Sequence, residues 1–416
     1  MESGDRAPES PFEVLKIKEF RLYIIQRFFF TMAMRMIATV VWWQMYLITK
    51  DPLALAFIGL SEAVPAILLS LYSGHVVDKT DNRRLLLNSV LFYVLCAGAL
   101  LTITIPKIEH SVGKHFIQYS IYIIIFCTGV IRAFLGPVTN SIMAQMVPKT
   151  FLPSAVSWRS GTWLGASVLG HASAGFLIAW AGYTNTFSLI ILYILISATA
   201  AFFISPKPAQ HTKKEQKTWD SVKEGLKYVM TTKELLGAMT LDLFAVLFGG
   251  AVAMIPFFAG EILKVGAIGF GWLNAATDIG SAIVIVYLTM VPLKKNQGLT
   301  LLYAVAGFGI CIITFALSTI YWLSFAALLI SGVLDGISVV IRGTILQLKT
   351  PDEMRGRVSA INSMFINSAN EIGSFESGLA ARIMGIKPSV IFGGAMSVLV
   401  VIGAWIKAPS LRKFNY

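Results

Sequence analysis

Ionisable side chains lie inside long apolar segments of this chain, where no water is available to solvate a charge. In the first half of the sequence they include Arg35, Glu62, Arg132 and His171. In the second half they are Asp242, Asp278, Asp335, Arg342, Glu371, Glu376 and Arg382. A charge at the centre of an apolar layer is costly, so each of these groups is a functional candidate by default. Such groups can bind protons, form switchable ion pairs or hold a charged ligand.

The spacing suggests one ion pair in the first half, between Arg35 and Glu62. Arg35 lies about 15 residues into its apolar segment, which corresponds to roughly 22 Å along a helix. Glu62 lies about nine residues into the next segment, which runs in the opposite direction, and so reaches a similar depth. The predicted pair would act either as a switch or as a permanent packing contact, and the sequence leaves both open.

The carboxylates of the second half are more numerous than packing normally requires, and they suit a cavity that binds cations, protons or a polar ligand. Asp335 and Arg342 are seven residues apart, which is two helical turns, so they are predicted to share a helix face. Asp278 and Glu371 are the preferred carboxylates for binding a proton or a ligand. Glu376 lies beyond Glu371 on the same segment.

Aromatic residues cluster toward one end of the first apolar segment, at Trp42, Trp43 and Tyr46. The favoured interpretation is an aromatic belt at the membrane interface. The alternative is that Trp43 lines a cavity for an apolar ligand, with Gln44 as a hydrogen-bonding group. Asp242, near the end of its own segment, is interpreted as a gating or snorkelling group.

The composition is that of a membrane protein with many spans. The 416 residues are 56% hydrophobic and only 13% charged, with a mean hydropathy of +0.71, whereas soluble chains carry roughly 25% charged residues. This excludes a soluble enzyme, a disordered chain and a nucleic-acid-binding domain as the main identity. The sequence has no P-loop, nucleophile elbow or histidine-rich tract, and its cysteines lie in apolar runs, so neither catalysis nor a metal site is expected.

Twelve apolar segments are long enough to span a membrane, since a helix needs about 20 residues to cross the hydrocarbon layer. They run over 20–48, 53–77, 85–106, 116–146, 152–180, 184–204, 235–259, 267–291, 298–319, 321–348, 356–384 and 388–407. The predicted organisation is a six-helix bundle over 1–204, a linker over 205–233 and a second six-helix bundle over 234–416. The linker is predicted to contain an amphipathic helix that lies along the membrane surface. Its apolar face comprises Trp219, Val222, Leu226 and Val229.

Lysine and arginine are distributed unevenly between the two ends of these segments. One side of the predicted membrane carries 23 of them, including seven in the linker, and the other side carries five. Because cytoplasmic loops are enriched in these residues, both termini and the linker are predicted to be cytoplasmic. The net charge of +12 is therefore interpreted as a topology signal. The first 11 residues resemble no cleavable signal peptide, so the first segment is predicted to be retained.

An internal repeat relates the two halves at a separation of about 202 residues. The first copy comprises Gln145, Pro148, Val156, Ser157, Gly175 and Gly182. The second copy comprises Gln347, Pro351, Val358, Ser359, Gly378 and Gly385. Each copy begins at a loop predicted to be cytoplasmic and continues along the fifth segment of its half. The pattern predicts two parallel six-helix repeats.

The loop after the second segment reads Gly74-His-Val-Val-Asp78-Lys-Thr-Asp-Asn-Arg83-Arg84. Together with twelve spans and a basic central linker, it resembles the signature loop of the major facilitator superfamily. The corresponding loop of the second half lacks the pattern. The resemblance implies the all-α membrane fold of that superfamily, with a central cavity that opens alternately to either side. It also implies that the residues of this loop form a cytoplasmic gate.

Further segments resemble the enterobactin-exporter-like branch of bacterial efflux permeases. They are Arg27-Phe, Trp43-Gln44-x-Tyr46, Gly59-Leu-x-Glu62-Ala-x-Pro65, Thr350-Pro-Asp-x-Met-Arg-Gly-Arg-Val358 and Asn370–Gly378. The resemblance covers essentially the whole chain and implies a secondary exporter of the inner membrane. Members of this branch export unlike molecules, so the resemblance does not identify the cargo.

Two positions bear on proton coupling through this resemblance. Arg132, with Gly136 four residues later, resembles a fourth-helix motif of the superfamily, and this resemblance implies a role in proton coupling. The physical reason is that a carboxylate takes up a proton more readily when a neighbouring cation moves away from it. Anchoring of a helix bend is the alternative. His171 stands where antiporters of the superfamily usually have a proline, which weakens the case for antiport. It is interpreted either as a titrating group or as a packed hydrogen-bonding residue.

The sequence therefore predicts a secondary active transporter and not an enzyme, specifically a proton-coupled exporter of a siderophore, drug or other amphipathic small molecule. The alternative is a proton-independent facilitator or symporter for a lipid or a metal chelate. A membrane enzyme or sensor is least favoured, because the chain has no catalytic constellation. We expect a monomer in the bacterial inner membrane, with a small-molecule substrate, no nucleic-acid partner and no cofactor beyond the proton gradient.

Overall fold

The computed structural model describes residues 10, 12–105, 108, 111–207, 218–249, 251–291, 293 and 295–415. Within these ranges only the backbone is described for Ser70, Leu71, Gly74, His75, Asp78, Lys149, 218–222, Ala251, Val252, Asp352, Glu353, Arg355, Gly356, Ala360 and Asn367. The described residues form helices joined by turns and short connections. A chain in lipid must satisfy its backbone hydrogen bonds internally, and long helices do so.

Five long helices make up the first half of the chain. They are α1 (Lys18–Thr49), α2 (Pro52–Lys79), α3 (Asn82–Ile103), α4 (Lys114–Met146) and α5 (Leu152–Phe202). Local sequence fixes where two of them begin. Pro52 occupies the first position of α2, where its missing N–H would have no helical partner in any case. Asp81 caps α3, since its carboxylate accepts a hydrogen bond from the backbone N–H of Arg84 at 2.9 Å.

The second half begins with a linker helix and continues with long helices. They are α6 (Thr218–Thr231), α7 (Lys233–Phe248), α8 (Gly266–Met290), α9 (Gln297–Leu317), α10 (Tyr321–Lys349), α11 (Asp352–Met384) and α12 (Ile386–Lys407). Short helical turns connect α7 to α8, the last of them a π-helix over Phe258–Ile262. Fully buried aliphatic side chains such as Leu301 on α9 and Ile341 and Ile345 on α10 form the core of this half.

The chain divides into two compact units. Unit 1 comprises Met1–Gln44 and Val64–Lys213, and unit 2 comprises Met45–Ala63 and Lys214–Tyr416. One division falls inside the predicted linker. The other is not visible in the sequence, because the corner between α1 and α2 groups with the second half of the chain.

Nine helices in the described part of the chain are long and apolar enough to cross a membrane. They are α1 to α5, α8 to α10 and α12. The 51 residues of α5 cover two predicted segments. Helix α7, with 16 residues, and the polar helix α11 are not among these nine. Both are nevertheless helical where a membrane span was predicted. An all-α membrane fold is thus confirmed, and the count of twelve spans stays a prediction.

Two glycines of the internal repeat share an unusual backbone conformation. Gly182 interrupts α5 with φ 76° and ψ 175°, and Gly385 separates α11 from α12 with φ 91° and ψ 162°. This region of φ and ψ is open essentially only to glycine. The same bend at corresponding positions of the two halves supports the predicted repeat.

We expect Gly182→Ala and Gly385→Ala each to lower the free energy of unfolding by about 1–3 kcal/mol, because a Cβ atom is strained in this conformation. Thermal unfolding of the purified protein in detergent measures the effect. Gly98→Ala on α3 is the matched control, since an added Cβ there would have no neighbour within 4 Å. Equal midpoints for the three variants would contradict the expectation.

The linker helix α6 packs against protein on one face. Val229 is buried, the hydroxyl of Tyr228 donates to the carbonyl oxygen of Lys349, and an added Cβ at Gly225 would meet side chains of α11. Leu226, assigned to the same apolar face, is 40% exposed. The helix is thus present and packs one face against α11, and its position along the membrane surface stays a prediction. The side chains of Trp219 and Val222 lie outside the described part of the chain.

Candidate functional site

Three carboxylates and one guanidinium, from three helices, come together in unit 2. Arg342 on α10 forms an ion pair with Asp242 on α7. Its other terminal nitrogen lies 3.9 Å from Oδ1 of Asp335, two turns earlier on α10. Asp278 on α8 is close enough to Asp335 to repel it electrostatically. We call these four residues the Arg342 cluster.

Solvent exposure separates two roles within the Arg342 cluster. The side chains of Arg342 and Asp242 expose only 11% and 7% of their surface, whereas that of Asp335 exposes 44%. Nε of Arg342 donates to Oγ of Ser338 at 3.1 Å, which fixes the guanidinium further. Asp242 is thus the buried partner of Arg342, which does not fit a snorkelling group, and its gating role stays a prediction. Asp335 is the more accessible of the two carboxylates.

A small cavity adjoins the two acids. Its volume is about 20 Å³, and Asp242, Asp335 and Ser338 line it together with apolar side chains of α7, α9 and α10. That volume is enough for about one water molecule, and the three polar groups supply the hydrogen-bond partners that such a water needs. The cavity therefore suits the movement of a proton rather than the binding of an organic ligand.

A close crossing of α8 and α10 sets the separation of Asp278 and Asp335. An added Cβ at Gly332 would overlap the carbonyl oxygen of Thr277, and Oγ of Ser281 donates to the carbonyl oxygen of Gly332 at 2.9 Å. Asp278 directly follows Thr277, and Asp335 lies three residues after Gly332. The two carboxylates are therefore held by backbone-to-backbone packing.

The acids of α11 lie along α2. An added Cβ at Gly59 would lie 3.7 Å from Oε2 of Glu371, which places that carboxylate beside α2. Glu376 is half-buried, and its carboxylate accepts a hydrogen bond from Oγ of Ser377 at 3.5 Å. Of the two preferred carboxylates, the structure thus brings Asp278 into the Arg342 cluster and places Glu371 against α2.

The corner between α1 and α2 carries polar contacts of its own. Oδ1 of Asp51 lies 3.3 Å from Nη1 of Arg382 on α11. The hydroxyl of Tyr46 hydrogen-bonds the Glu261 carboxylate, and its ring packs edge-on against Phe257 with centroids 4.9 Å apart. Tyr46 is buried within unit 2. The interpretation of an interfacial aromatic belt is therefore wrong for this residue.

The belt is also wrong for Trp43, which exposes 6% of its surface in unit 1. Its neighbour Gln44 is buried as well, and Oε1 of that side chain has no hydrogen-bond partner among the described residues. An orphaned buried acceptor is costly. Both residues are buried, and the alternative in which they line a cavity stays a prediction.

His171 on α5 is buried and hydrogen-bonded in unit 1. Its Nδ1 lies 2.7 Å from Oγ1 of Thr39, and the Thr39 hydroxyl donates to the carbonyl oxygen of Arg35 at 3.0 Å. Because a hydroxyl has one hydrogen to give, Nδ1 of His171 must be the donor to Thr39. The geometry matches the interpretation of His171 as a packed hydrogen-bonding residue.

The two remaining basic candidates lie in unit 1. The guanidinium of Arg35 stacks over the ring of Trp163, 5.0 Å from its centroid, while Glu62 belongs to unit 2. The predicted pair of Arg35 with Glu62 therefore stays a prediction. Arg132 is half-buried near the middle of α4.

Of the predicted gating loop, the structure describes the arginines and not the side chain of Asp78. Arg83 donates to the carbonyl oxygen of Phe202, and its guanidinium lies 5.1 Å from the centroid of the Phe202 ring. It thus caps the C-terminal end of α5. Arg84 lies in the first turn of α3, where its backbone N–H donates to the capping carboxylate of Asp81. Gly74 and Asp78 lie outside the described side chains, so the gate stays a prediction.

Sequence reasoning missed a basic group in unit 1. Arg27 on α1 and Arg159 on α5 are close enough to repel each other, with Tyr23 and Asn140 beside them. The sequence did contain a signal for this group, namely the scarcity of acids near its arginines: residues 82–204 contain a single carboxylate, Glu109.

Comparisons with known proteins agree with this architecture. The sequence profile of the Major Facilitator Superfamily matches residues 23–374. The chain is 24% identical to the uncharacterized MFS-type transporter YfiS of Bacillus subtilis, over 84% of this chain and 83% of that protein.

A second relative has a stated cargo, and a solved structure shares the fold. The enterobactin exporter EntS of Shigella flexneri is 22% identical over 60% of this chain and 59% of the exporter. The crystal structure of a D-xylose-proton symporter aligns with a TM-score of 0.72 at 13% identity, over 96% of this chain and 99% of the symporter. The fold, the apolar helices and the family profile agree, and the chain belongs to the Major Facilitator Superfamily of membrane transporters.

Proposed function

We propose that the protein is a proton-coupled exporter of a small amphipathic molecule such as a siderophore or drug, working by alternating access. In this proposal it is a monomer in the bacterial inner membrane with both termini in the cytoplasm. The proton gradient drives it, and it needs no cofactor.

The Arg342 cluster is the observation that carries this proposal. Arg342 pairs closely with Asp242 and lies 3.9 Å from Asp335, and Asp278 is close enough to Asp335 to repel it. Asp335 is the exposed member and borders the water-sized cavity, so it is the group that takes up and releases the proton.

Export as the direction of transport is supported by the partial likeness to an enterobactin exporter. The cargo itself is proposed only as a class, because the alignment covers 60% of this chain. An amphipathic cargo suits the buried Trp43 and Gln44, which combine an aromatic ring with an amide oxygen that has no hydrogen-bond partner among the described residues.

Reconstitution in liposomes tests the proposal. Candidate siderophores and lipophilic cations are offered under an imposed proton gradient, and cargo movement and proton flux are recorded together. We expect uphill cargo movement that collapses when a protonophore is added. Cargo movement that ignores the gradient would overturn proton coupling.

Asp335→Asn should abolish uphill transport and the accompanying proton flux while leaving downhill cargo movement in place, because an amide cannot exchange a proton. The same liposome assay measures both. Glu234→Gln is the matched acid-to-amide control, since Glu234 begins α7 and pairs with Lys349 at 3.8 Å, outside the cavity. Uphill transport by Asp335→Asn at the level of this control would remove Asp335 from the mechanism.

A proton-independent facilitator or symporter is the second candidate. It is favoured by His171, which replaces a motif proline and is engaged with Thr39. For this candidate we expect transport rates that do not change when the proton gradient is dissipated, and an Asp335→Asn variant as active as the wild type.

A further inference from the structure

The stretches of unit 1 that carry its basic candidates contain few acidic residues. Its helical segments contain Arg27, Arg35, Arg132, Arg159 and His171. No Asp or Glu occurs in residues 20–44, and Glu109, before the start of α4, is the single carboxylate in residues 82–204. The acids within the helices of unit 1 lie outside these two ranges, at Glu19 on α1 and Asp78 on α2.

Arg27 and Arg159 are two of these groups that lie near each other. They are close enough for electrostatic repulsion, and both are half-buried. Repulsion between guanidinium groups away from water is not offset unless an anion lies between them. Among the described residues neither guanidinium has an acidic partner, so the pair is an incomplete ion cluster within that part of the chain.

Neutral groups satisfy only part of this pair. Arg159 donates to Oδ1 of Asn140, and Arg27 hydrogen-bonds the oxygen of Tyr23. The Tyr23 hydroxyl donates in turn to the carbonyl oxygen of Thr139 at 3.3 Å. Nε of Arg27 is buried without a hydrogen-bond partner among the described residues. Planar guanidinium groups with unused donors are suited to bind an oxyanion through paired hydrogen bonds.

The site lies near the helix ends that are predicted to be cytoplasmic. Arg27 is nine residues from the start of α1 at Lys18, and Arg159 is seven residues from the start of α5 at Leu152. At 1.5 Å per residue these positions are roughly 10–14 Å from the helix ends. A solute arriving from the cytoplasm would meet this site before the middle of the membrane.

We propose that Arg27 and Arg159, with Asn140 and Tyr23, bind an oxyanion (a carboxylate or a phosphate-like group) carried by the cargo. The identification of the ligand as cargo rests on the proposed export function, whereas the anion site itself does not. A phospholipid headgroup has the same chemistry, so the experiment distinguishes the two sources.

Ligand-induced thermal stabilisation of the purified full-length protein tests the site without any transport step. The protein is placed in nanodiscs of phosphatidylcholine, and benzoate is compared with benzamide, its neutral counterpart of the same shape. We expect benzoate and not benzamide to raise the unfolding midpoint. In the double variant Arg27→Gln/Arg159→Gln the dissociation constant for benzoate should rise at least about tenfold, as expected when charge-assisted bonds are lost.

Two further variants keep the result interpretable. Arg21→Gln removes an exposed charge from the same helix and should respond to benzoate like the wild type. Arg159→Lys keeps the charge but loses the planar fork, so benzoate should bind more weakly while the ligand-free midpoint stays unchanged. Because the empty site contains repulsion, the ligand-free double variant should be at least as stable as the wild type. An unchanged benzoate response in the double variant and in Arg159→Lys would overturn the site.

Nanodiscs that contain 30% phosphatidylglycerol provide the lipid arm. Stabilisation by this lipid that depends on both arginines, with no response to benzoate in phosphatidylcholine, would identify a headgroup site and overturn the assignment to cargo. Benzoate binding that persists when liposomes show no proton-coupled transport would leave the anion site intact and reject only the proposed function.

Discussion

Arg342→Met should cost about 3–5 kcal/mol of folding stability and abolish proton-coupled transport. The ion pair of Arg342 with Asp242 is almost completely buried, and removal of one partner leaves the other as an uncompensated charge. The variant also leaves Asp335 without its cation. Chemical or thermal unfolding in detergent measures the loss of stability, and liposomes measure transport.

The loss of stability in Arg342→Met should depend on pH, because the Asp242 carboxylate is left buried without its cation. Without Arg342, the folded protein accommodates Asp242 best in its protonated form, so the folded state binds a proton more readily than the unfolded chain. Stability that is lost at pH 8 should therefore be regained partly as the pH falls. Asp242→Asn/Arg342→Met should recover most of the stability at every pH, but not the transport.

Arg382→Met offers the comparison at an exposed pair. The side chains of Arg382 and Asp51 expose 60% and 33% of their surface, and exposed pairs contribute about 0–1 kcal/mol. A loss for Arg342→Met no larger than that for Arg382→Met would show that the buried pair contributes little to folding.

The sequence is sufficient to predict the helices because their main determinant is local. Each apolar run long enough to cross a membrane becomes helical, as at 321–348, where α10 spans Tyr321–Lys349. Glycine at corresponding positions of the repeat likewise predicts corresponding bends, which Gly182 and Gly385 show. Both signals lie within a few residues of the feature that they predict.

The grouping of residues 45–63 with unit 2 could not be predicted in this way. It depends on side-by-side packing of α2 and α11, where an added Cβ at Gly378 would overlap Ala56. That contact joins residues more than 300 positions apart. A small residue in the sequence shows that another helix can pack closely there, but it does not identify which helix that is.

The same distinction separates the predicted and missed parts of the site. Asp335 and Arg342 share a helix face, so their spacing alone predicts that they lie together. Asp242 lies on another helix, 100 residues before Arg342, and no spacing rule connects them. Arg27 and Arg159 were missed as a pair because they lie on different helices, although the near absence of acids around them carried the information.

Gly332→Ala should disrupt unit 2 out of proportion to the single methyl group that it adds. The new Cβ would overlap the carbonyl oxygen of Thr277, a backbone atom that cannot rotate away. The crossing of α8 and α10 must therefore open, and overpacking of this kind costs about 1–3 kcal/mol or more. The movement also separates Asp278 from Asp335, since each lies within one helical turn of the contact. We expect proton-coupled transport to fall even in molecules that remain folded.

The matched control is Gly343→Ala on the same helix, where an added Cβ would have no neighbour within 4 Å. Alanine is the better helix former, so this variant should unfold at the midpoint of the wild type or above it. Proton flux and unfolding are measured on the same preparations, after size-exclusion chromatography has selected folded protein. If Gly332→Ala keeps wild-type proton flux, the separation of Asp278 and Asp335 does not set the coupling. If Gly332→Ala also has the same unfolding midpoint as Gly343→Ala, then α8 and α10 do not approach as closely as the backbone contact at Thr277 requires.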